Sequence, residues 1–432
     1  MDLFQPGKPS DVVAAGLVLP GRYASTPDTD RPLSLLQYPS SLTVNVGASR
    51  SWKENGDDPK RLGGQTSGVL LHARNGSGGN LYAAGLLLDK MSVGVREDGT
   101  EWSRARIAPN QQDIGLAYKR GSVQIGLTIY KGRHDGLARS TRFEGIETQP
   151  GLGIGFIEWD KDHSGFTTEF AKTRGNKEFG LLFSQSQGSL SAWTYASGQG
   201  YFADQDFRSA RLLPYIAWKR RFTTHIVLLG ASRSETSGPV LVGKLLAGSA
   251  AGDSKAYTAA RVWRKDIGDR TRMYSIEFTS ASADFSGAAG GFLFPGIFSS
   301  RYATDDRFRL DKLSARYGVE HRNGSTALRY SAMFSYGTLD ARLYATQARW
   351  MQPLRVLVDE RWDDAGLWVL SPAVGVGYRR GDWTLDTGIS LYFAMLTRQA
   401  KEREPTPPSQ DDGGHNRVQP GCRWELTIRR TL

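Results

Sequence analysis

The feature that most constrains this chain is the alternation of short and long connections between residues 53 and 415. The short joints are turn-like sequences at Asn75-Gly76, Arg120-Gly121, Asp162-His163, Gln187-Gly188, Lys219 to Arg221, Gly268-Asp269, Asn323-Gly324 and Gly381-Asp382. The longer polar or glycine-rich connections cover residues 53–63, 96–112, 132–150, 198–209, 234–254, 281–311 and 397–415. Tight turns on one rim and long loops on the other predict an all-β, antiparallel up-and-down barrel.

The segments between these joints carry one apolar and one polar face. In the segment 123–129, the residues Val123, Ile125, Leu127 and Ile129 alternate with Gln124, Gly126 and Thr128. The same period-two pattern recurs at 328–336, 383–395 and 423–429. Because buried parallel strands are apolar on both faces, the pattern indicates an antiparallel sheet. Segments of about 9–11 residues favour a membrane barrel whose apolar face meets lipid. We expect about 18–20 strands.

Composition agrees with this architecture and narrows the alternatives. The mean hydropathy is −0.42, and no run is long and apolar enough for a transmembrane helix. The single cysteine, Cys422, excludes an internal disulfide and a cysteine-based zinc cluster. The formal charge is +11, but the cations are spread through the strands, so we expect no nucleic-acid partner. A soluble all-β binding protein, with the apolar face inward, is the alternative class.

If the apolar residues face lipid, several arginines fall on the lumen face. The predicted pore-lining set is Arg316, Arg329, Arg342, Arg355, Arg423 and Arg429. Arginine stays ionised and binds carboxylate or phosphate groups, so such a wall would attract anions. The competing interpretation is that these arginines pair with acidic residues across strands and stabilise the wall. The candidate acidic partners are Glu320, Asp340, Asp359, Asp386 and Glu425.

Two segments do not fit the strand pattern. Residues 1–40 contain six prolines and little alternation, which predicts an N-terminal extension before a barrel of residues 41–432. This extension is expected to be a periplasmic tail or a segment inside the lumen. Within the connection 281–311, the apolar side chains Phe292, Phe294 and Phe298 predict a loop that folds inward as a constriction. The alternative for this loop is a hairpin packed on the rim.

Enzymatic motifs are weak, and we expect no enzyme, no catalytic residue, no metal and no cofactor. The six histidines have no H-E-x-x-H spacing, and neither a G-x-S-x-G elbow nor a P-loop occurs. A lone rim histidine such as His321 is more often solvated than catalytic.

The closing sequence Gln419-Pro420-Gly421-Cys422-Arg423-Trp424-Glu425-Leu426-Thr427-Ile428-Arg429-Arg430-Thr431-Leu432 resembles the last strand of TonB-dependent receptors and related Gram-negative outer-membrane barrels. Those chains typically end on an aromatic residue, whereas this one ends on Leu432. The globular plug domain of those receptors has no room before the first strand near Leu42. The chain therefore resembles a plugless barrel, similar in size and basic character to large porins and polysaccharide exporters. The resemblance implies an outer-membrane location, with a signal peptide already removed.

These observations lead to two functional hypotheses. The first is a channel, passive or partner-gated, that conducts anionic solutes or exports an acidic polysaccharide. The second is a structural barrel that anchors or encloses a partner in a secretion, electron-transfer or surface-display complex. Outer-membrane lipid is an expected partner in both cases, and a periplasmic protein is a further candidate.

Overall fold

The computed structural model describes residues 19–24, 27–53, 60–77, 80–98, 101–103, 108–140, 155–196, 199–242, 246–294, 298–349, 355–397 and 417–432. Its strands are β1 (Ser41–Lys53), β2 (Lys60–Ser77), β3 (Asn80–Asp98), β4 (Glu101–Ser103), β5 (Ala108–Arg120), β6 (Val123–Ser140), β7 (Gly155–Arg174), β8 (Lys177–Ala196), β9 (Gln199–Arg220), β10 (Thr223–Val242), β11 (Leu246–Ile267), β12 (Arg270–Phe294), β13 (Phe298–Asn323), β14 (Thr326–Arg349), β15 (Arg355–Arg380), β16 (Trp383–Thr397) and β17 (Arg417–Thr431). Two short 3₁₀-helices, Gly21–Tyr23 and Pro32–Leu36, precede them. The described residues contain no helix that is long and apolar enough to cross a membrane.

The strands form one closed antiparallel barrel. Each long strand pairs with the next, and β17 pairs with β1 from Ser41 opposite Thr431 to Ser51 opposite Gly421. The short strand β4 pairs only with the end of β3, so the wall contains sixteen strands. Closure leaves no edge strand exposed, and both termini of the wall lie at the short-turn end. The predicted up-and-down barrel is confirmed.

The short turns follow a common design. Five of them have glycine at the first position of a two-residue connection, each with a φ between 56° and 63°: Gly121, Gly175, Gly268, Gly324 and Gly381. Arg221 adopts the same left-handed conformation with a φ of 53°. This conformation matches the right-handed twist of paired strands and is easiest for glycine, which has no Cβ.

The strand number is lower than the predicted 18–20 because the strands are longer. From β7 to β15 they contain 20 to 26 residues, about twice what a bilayer requires. The predicted connections 198–209 and 234–254 lie within β9 to β11 apart from short gaps at 197–198 and 243–245. The predicted turns at Asp162-His163 and Gln187-Gly188 are wrong, since these residues lie in the middle of β7 and β8, where His163 pairs with Gly188. The turn between those strands is Gly175-Asn176.

The segment 281–311 is also strand rather than irregular loop over its described length. It pairs with β11 up to Gly290 and with β14 from Ser300, so its backbone continues the wall. Phe292, Phe294 and Phe298 belong to its paired backbone, but their side chains lie outside the described part of the structure. Their role as a constriction remains a prediction.

Candidate functional site

The inward and outward faces of the wall differ as the alternation predicts. On β6, the side chains of Ile125 and Ile129 are 51% and 59% exposed on the outer surface, whereas Gln124 and Thr128 are buried inside. The same contrast separates Ile389 from Asp386 on β16. A closed barrel with an apolar outer surface satisfies its backbone internally and spans a membrane, as bacterial outer-membrane barrels do.

The lumen is partly filled by the chain's own N-terminal part, residues 19–24 and 27–40, which we call the lumen segment. The side chains of Leu33 and Leu35 are fully buried within the barrel. Of the two positions expected for the N-terminal extension, the described contacts match the one inside the lumen.

Hydrogen bonds from one side of the wall hold the lumen segment. The Thr29 hydroxyl donates to Asp113 over 2.8 Å, and the Thr128 hydroxyl donates to the Thr29 carbonyl over 2.6 Å. The Leu33 amide donates to the Glu169 carboxylate over 3.1 Å. A carboxylate that accepts from a backbone amide makes a stronger bond than a neutral acceptor does. The imidazole of His72 contacts the carbonyl oxygens of Leu35 at 2.8 Å and Pro39 at 3.1 Å.

The wall is built from small residues where the lumen segment approaches it. A Cβ added at Gly126 would lie 2.7 Å from the Cβ of Pro32. Added Cβ atoms at Gly85 and Gly115 would lie 3.0 Å and 3.1 Å from methyl groups of Leu35. Real Cβ atoms do not approach within 3.0 Å, so a side chain at Gly126 would displace Pro32, and at the other two glycines Leu35 would have to shift by a few tenths of an ångström. These glycines form a fitted seat for the segment.

The first 3₁₀-helix binds at the short-turn end of β7 to β9. Arg22 forms an ion pair with Glu178 and donates to the Thr173 hydroxyl over 3.0 Å. The Tyr23 ring meets Tyr215 edge to face, and the Tyr215 hydroxyl donates to Glu178 over 3.1 Å. Burial, and then the Glu178 carboxylate, raise the pKa of the Tyr23 phenol well above its ordinary value, so the hydroxyl remains protonated.

Apolar side chains inside the barrel complete this contact. The core that surrounds Leu19, Leu33 and Leu35 includes the inward residues Leu182, Leu213, Ile226, Leu228 and Val262. The period-two alternation did not predict this apolar contact inside the lumen. A signal was present, because Ile226-Val227-Leu228-Leu229 is apolar on both faces. In a membrane barrel, such a run requires an apolar group in the lumen as well as lipid outside.

Four of the six predicted arginines lie on the lumen face of their strands: Arg316, Arg329, Arg423 and Arg429. Most of these are paired, as the competing interpretation proposed. Arg329 binds Glu320 at 2.5 Å and Asp386 at 2.6 Å. Arg423 pairs with Glu425, and Arg316 pairs with Glu277 at 3.1 Å. Arg429 lies over the Tyr38 ring of the lumen segment, with its guanidinium carbon 5.5 Å from the ring centroid.

The other two arginines do not support the predicted lining. Arg342 is on the same face of β14 as the lipid-facing Leu328, because β14 keeps its alternation through the register with β13. It stacks on Tyr344 on that outer face at 5.1 Å, so its assignment to the pore is wrong. The side chain of Arg355 lies outside the described part of the structure.

A cavity of about 490 Å³ remains beside the lumen segment at the short-turn end. It lies between Leu19, Tyr23 and Tyr38 of the segment and the inward side chains of β11 to β17. Its charged lining consists of Arg264, Arg322, Arg329, Arg379 and Arg429 together with Glu320 and Asp386. Five cations thus face two carboxylates. Arg379 and Arg429 form no ion pair with any described carboxylate.

A second group of cations lies farther from the short turns, on the inward faces of β9 and β13. Arg211 of β9 and Lys312 and Arg316 of β13 are all within the electrostatic influence of Glu277, and we call the three cations the basic cluster. Glu277 binds Arg316 directly and attracts both Arg211 and Lys312. Neither Arg211 nor Lys312 forms an ion pair in the described part of the chain. The cluster therefore has a positive surplus in the lumen.

The described residues contain no group of three or more metal-ligating side chains. His321 lies on the outward face of β13, opposite Leu328, and not in the cavity. These placements add no catalytic candidate to the site.

Comparison with known proteins leaves the chain unassigned. No family model matches it, and no curated protein matches it. It is similar to the solved structure of the toluene transporter TbuX of Ralstonia pickettii, with 9% identity, a TM-score of 0.43 and coverage of 100% of both chains. It is also similar to the ferric yersiniabactin uptake receptor FyuA of Yersinia pestis, with 9% identity, a TM-score of 0.40 and coverage of 92% of this chain and 81% of that chain. The barrel is defined by this chain's own strand pairing.

Proposed function

We propose that the protein is an outer-membrane channel for anionic solutes, with the lumen segment narrowing its periplasmic end. The observation that carries this proposal is the cavity beside the segment, where five arginines face two carboxylates. The basic cluster continues the positive surplus along the lumen. Rings of cationic side chains in a water-filled pore favour anions and oppose cations.

The class of solute follows from the arginines that are not engaged with carboxylates. Arginine presents a planar fork that matches carboxylate and phosphate groups, and it stays charged at any physiological pH. Small organic anions and acidic polysaccharides share this chemistry. The arginines that are fully engaged with carboxylates, such as Arg329, shape the wall rather than bind cargo.

Single-channel recording in a planar bilayer under a salt gradient tests the proposal. We expect stable current steps and a reversal potential that shows anion selectivity. The double variant Arg211→Gln, Lys312→Gln removes both unpaired cations of the basic cluster and should shift the reversal potential toward zero. Arg307→Gln is the matched control, because Arg307 is exposed and binds Asp305 on the outer face.

Two outcomes would count against the channel. Cation selectivity of the unmodified protein would contradict an anionic cargo. Insertion without conductance would contradict an open passage and favour the second hypothesis, a structural barrel that anchors or encloses a partner protein.

A further inference from the structure

The outer surface of β11 carries a charge in the middle of its apolar region. Arg261 is exposed on the outward face, and its neighbour Val262 is fully buried on the inward face. In the sheet, Arg261 lies between Val227 of β10 and Ile276 of β12, and Ile276 is 51% exposed to lipid. A lipid-facing arginine is destabilising at the bilayer midplane and is rare unless it has a function.

Arg261 has no acidic partner among the described residues. Its guanidinium carbon lies 4.9 Å from the centroid of the Trp263 ring, which is its neighbour toward the short-turn end on the same face. A cation over an aromatic face is stabilised modestly, but its net charge remains. The side chain therefore extends toward the periplasmic edge of the membrane and still lacks an anion, as snorkelling arginines do.

Further cations lie on the same surface in the direction to which Arg261 extends. Lys265 and Arg272 are exposed on the outward face, directly opposite each other across β11 and β12. Neither forms an ion pair in the described part of the structure. Asp266 is on the inward face, where it binds Arg264, and Asp269 occupies the turn. The three outward cations thus lie on one face without a carboxylate paired to any of them.

Aromatic side chains mark this level as the membrane interface. Trp218 stacks on His225 with ring centroids 5.1 Å apart, and His225 is paired with Trp263 across β10 and β11. Tyr274 of β12 contacts Tyr317 of β13 at 5.0 Å on the same surface. Aromatic girdles of this kind are found where the headgroups begin.

We propose that Arg261, Lys265 and Arg272 form a binding site for the phosphate headgroup of an anionic phospholipid in the periplasmic leaflet. The phosphate would lie between the three cations beside Trp263, and the acyl chains would follow Val227 and Ile276. Cationic pockets on membrane proteins bind anionic headgroups in this way. A lipid is favoured over a second copy of the chain, because the described outward side chains of the apolar region include no carboxylate that could pair with Arg261.

The proposal is tested by whether one substitution raises or lowers the unfolding midpoint in two kinds of membrane. Arg261→Leu removes a lipid-facing charge, so it should raise the unfolding midpoint in vesicles of phosphatidylcholine alone. In vesicles that also contain phosphatidylglycerol, it should lower the midpoint, because the headgroup contact is lost. An equal rise in both kinds of vesicle would overturn the proposal.

Native mass spectrometry in detergent provides a second readout that does not depend on stability. We expect the unmodified protein to retain added phosphatidylglycerol in preference to phosphatidylcholine. The triple variant Arg261→Gln, Lys265→Gln, Arg272→Gln should lose that preference. Arg233→Gln is the control, because Arg233 is an outward arginine already paired with Glu235 and Asp253. Retention of the preference in the triple variant, or a change from monomer to dimer that depends on Arg261, would overturn the proposal.

Discussion

The two sides of the lumen use charge in opposite ways. On the side formed by β2, β3 and β5 to β8, the inward carboxylates Asp113, Glu169 and Glu178 all bind the lumen segment. On the side formed by β11 to β17, cations outnumber carboxylates and line an open cavity. The first side is a binding surface for the chain itself, and the second is free for a solute. The difference shows that one side of a barrel wall can bind the lumen segment while the other side leaves a cavity beside it.

The outer surface should not distinguish these two sides. Ile129 of β6 and Ile389 of β16 lie at corresponding distances from their short turns and are 59% and 48% exposed. Replacing either with arginine near the midplane should lower the free energy of unfolding by about 2–4 kcal/mol. The measurement is denaturant unfolding in lipid vesicles. Thr384→Arg, which faces the cavity, is the control and should be nearly neutral; equal damage there would contradict the assignment of faces.

Enlarging a small inward residue should affect the two sides differently. Gly126→Leu places atoms where Pro32 lies, so it should destabilise the protein by about 1–3 kcal/mol or expel the lumen segment. Unfolding curves and single-channel conductance together report both results, and expulsion should increase the conductance. Thr384→Leu extends into the cavity and should do neither. If the two variants behave alike, the fitted seat around Gly126 is not specific.

Removing a single negative charge that binds the lumen segment should have the smallest effect on the protein. Glu169→Gln keeps an acceptor for the Leu33 amide but loses the charge. The binding of the lumen segment to the wall should therefore weaken by about 1 kcal/mol. Tryptic cleavage after Arg22 of the lumen segment measures this loosening. Glu277→Gln, on the open side, should leave the cleavage rate unchanged and increase anion selectivity. Faster cleavage in both variants would argue against a division of roles between the two sides.

The alternation of residues was sufficient to predict the barrel and its faces. Ile125 and Gln124 lie where a period of two places them, because one face must meet lipid and the other water. The number of strands could not be predicted from the alternation. β12 and β13 continue to pair beyond the membrane. Their residues there are polar and have the same composition as a loop, so the composition does not reveal the longer strands.

The lumen segment was only partly predictable. Its prolines excluded strand, but no local pattern shows which surface a short 3₁₀-helix will contact. That information is distributed over the wall, in the glycines at 85, 115 and 126 and in the doubly apolar run at 226–229. For Arg329, the face and a set of candidate partners that includes Glu320 and Asp386 could be predicted, whereas the choice among these carboxylates could not. Pairing across strands depends on the register, which the spacing of residues does not specify.

The pairing of β1 with β17 has a consequence for biogenesis. Every other contact in the wall joins neighbouring hairpins, so it can form early and at a small cost in chain entropy. This one seam joins the two ends of the wall, and it can form only when the last strand has been delivered to the membrane. Until then β1 and β16 each present an unpaired edge, which is a template for aggregation. Loss of β17 should therefore trap the whole wall in an unsealed state, in which even well-formed hairpins are exposed to periplasmic quality control.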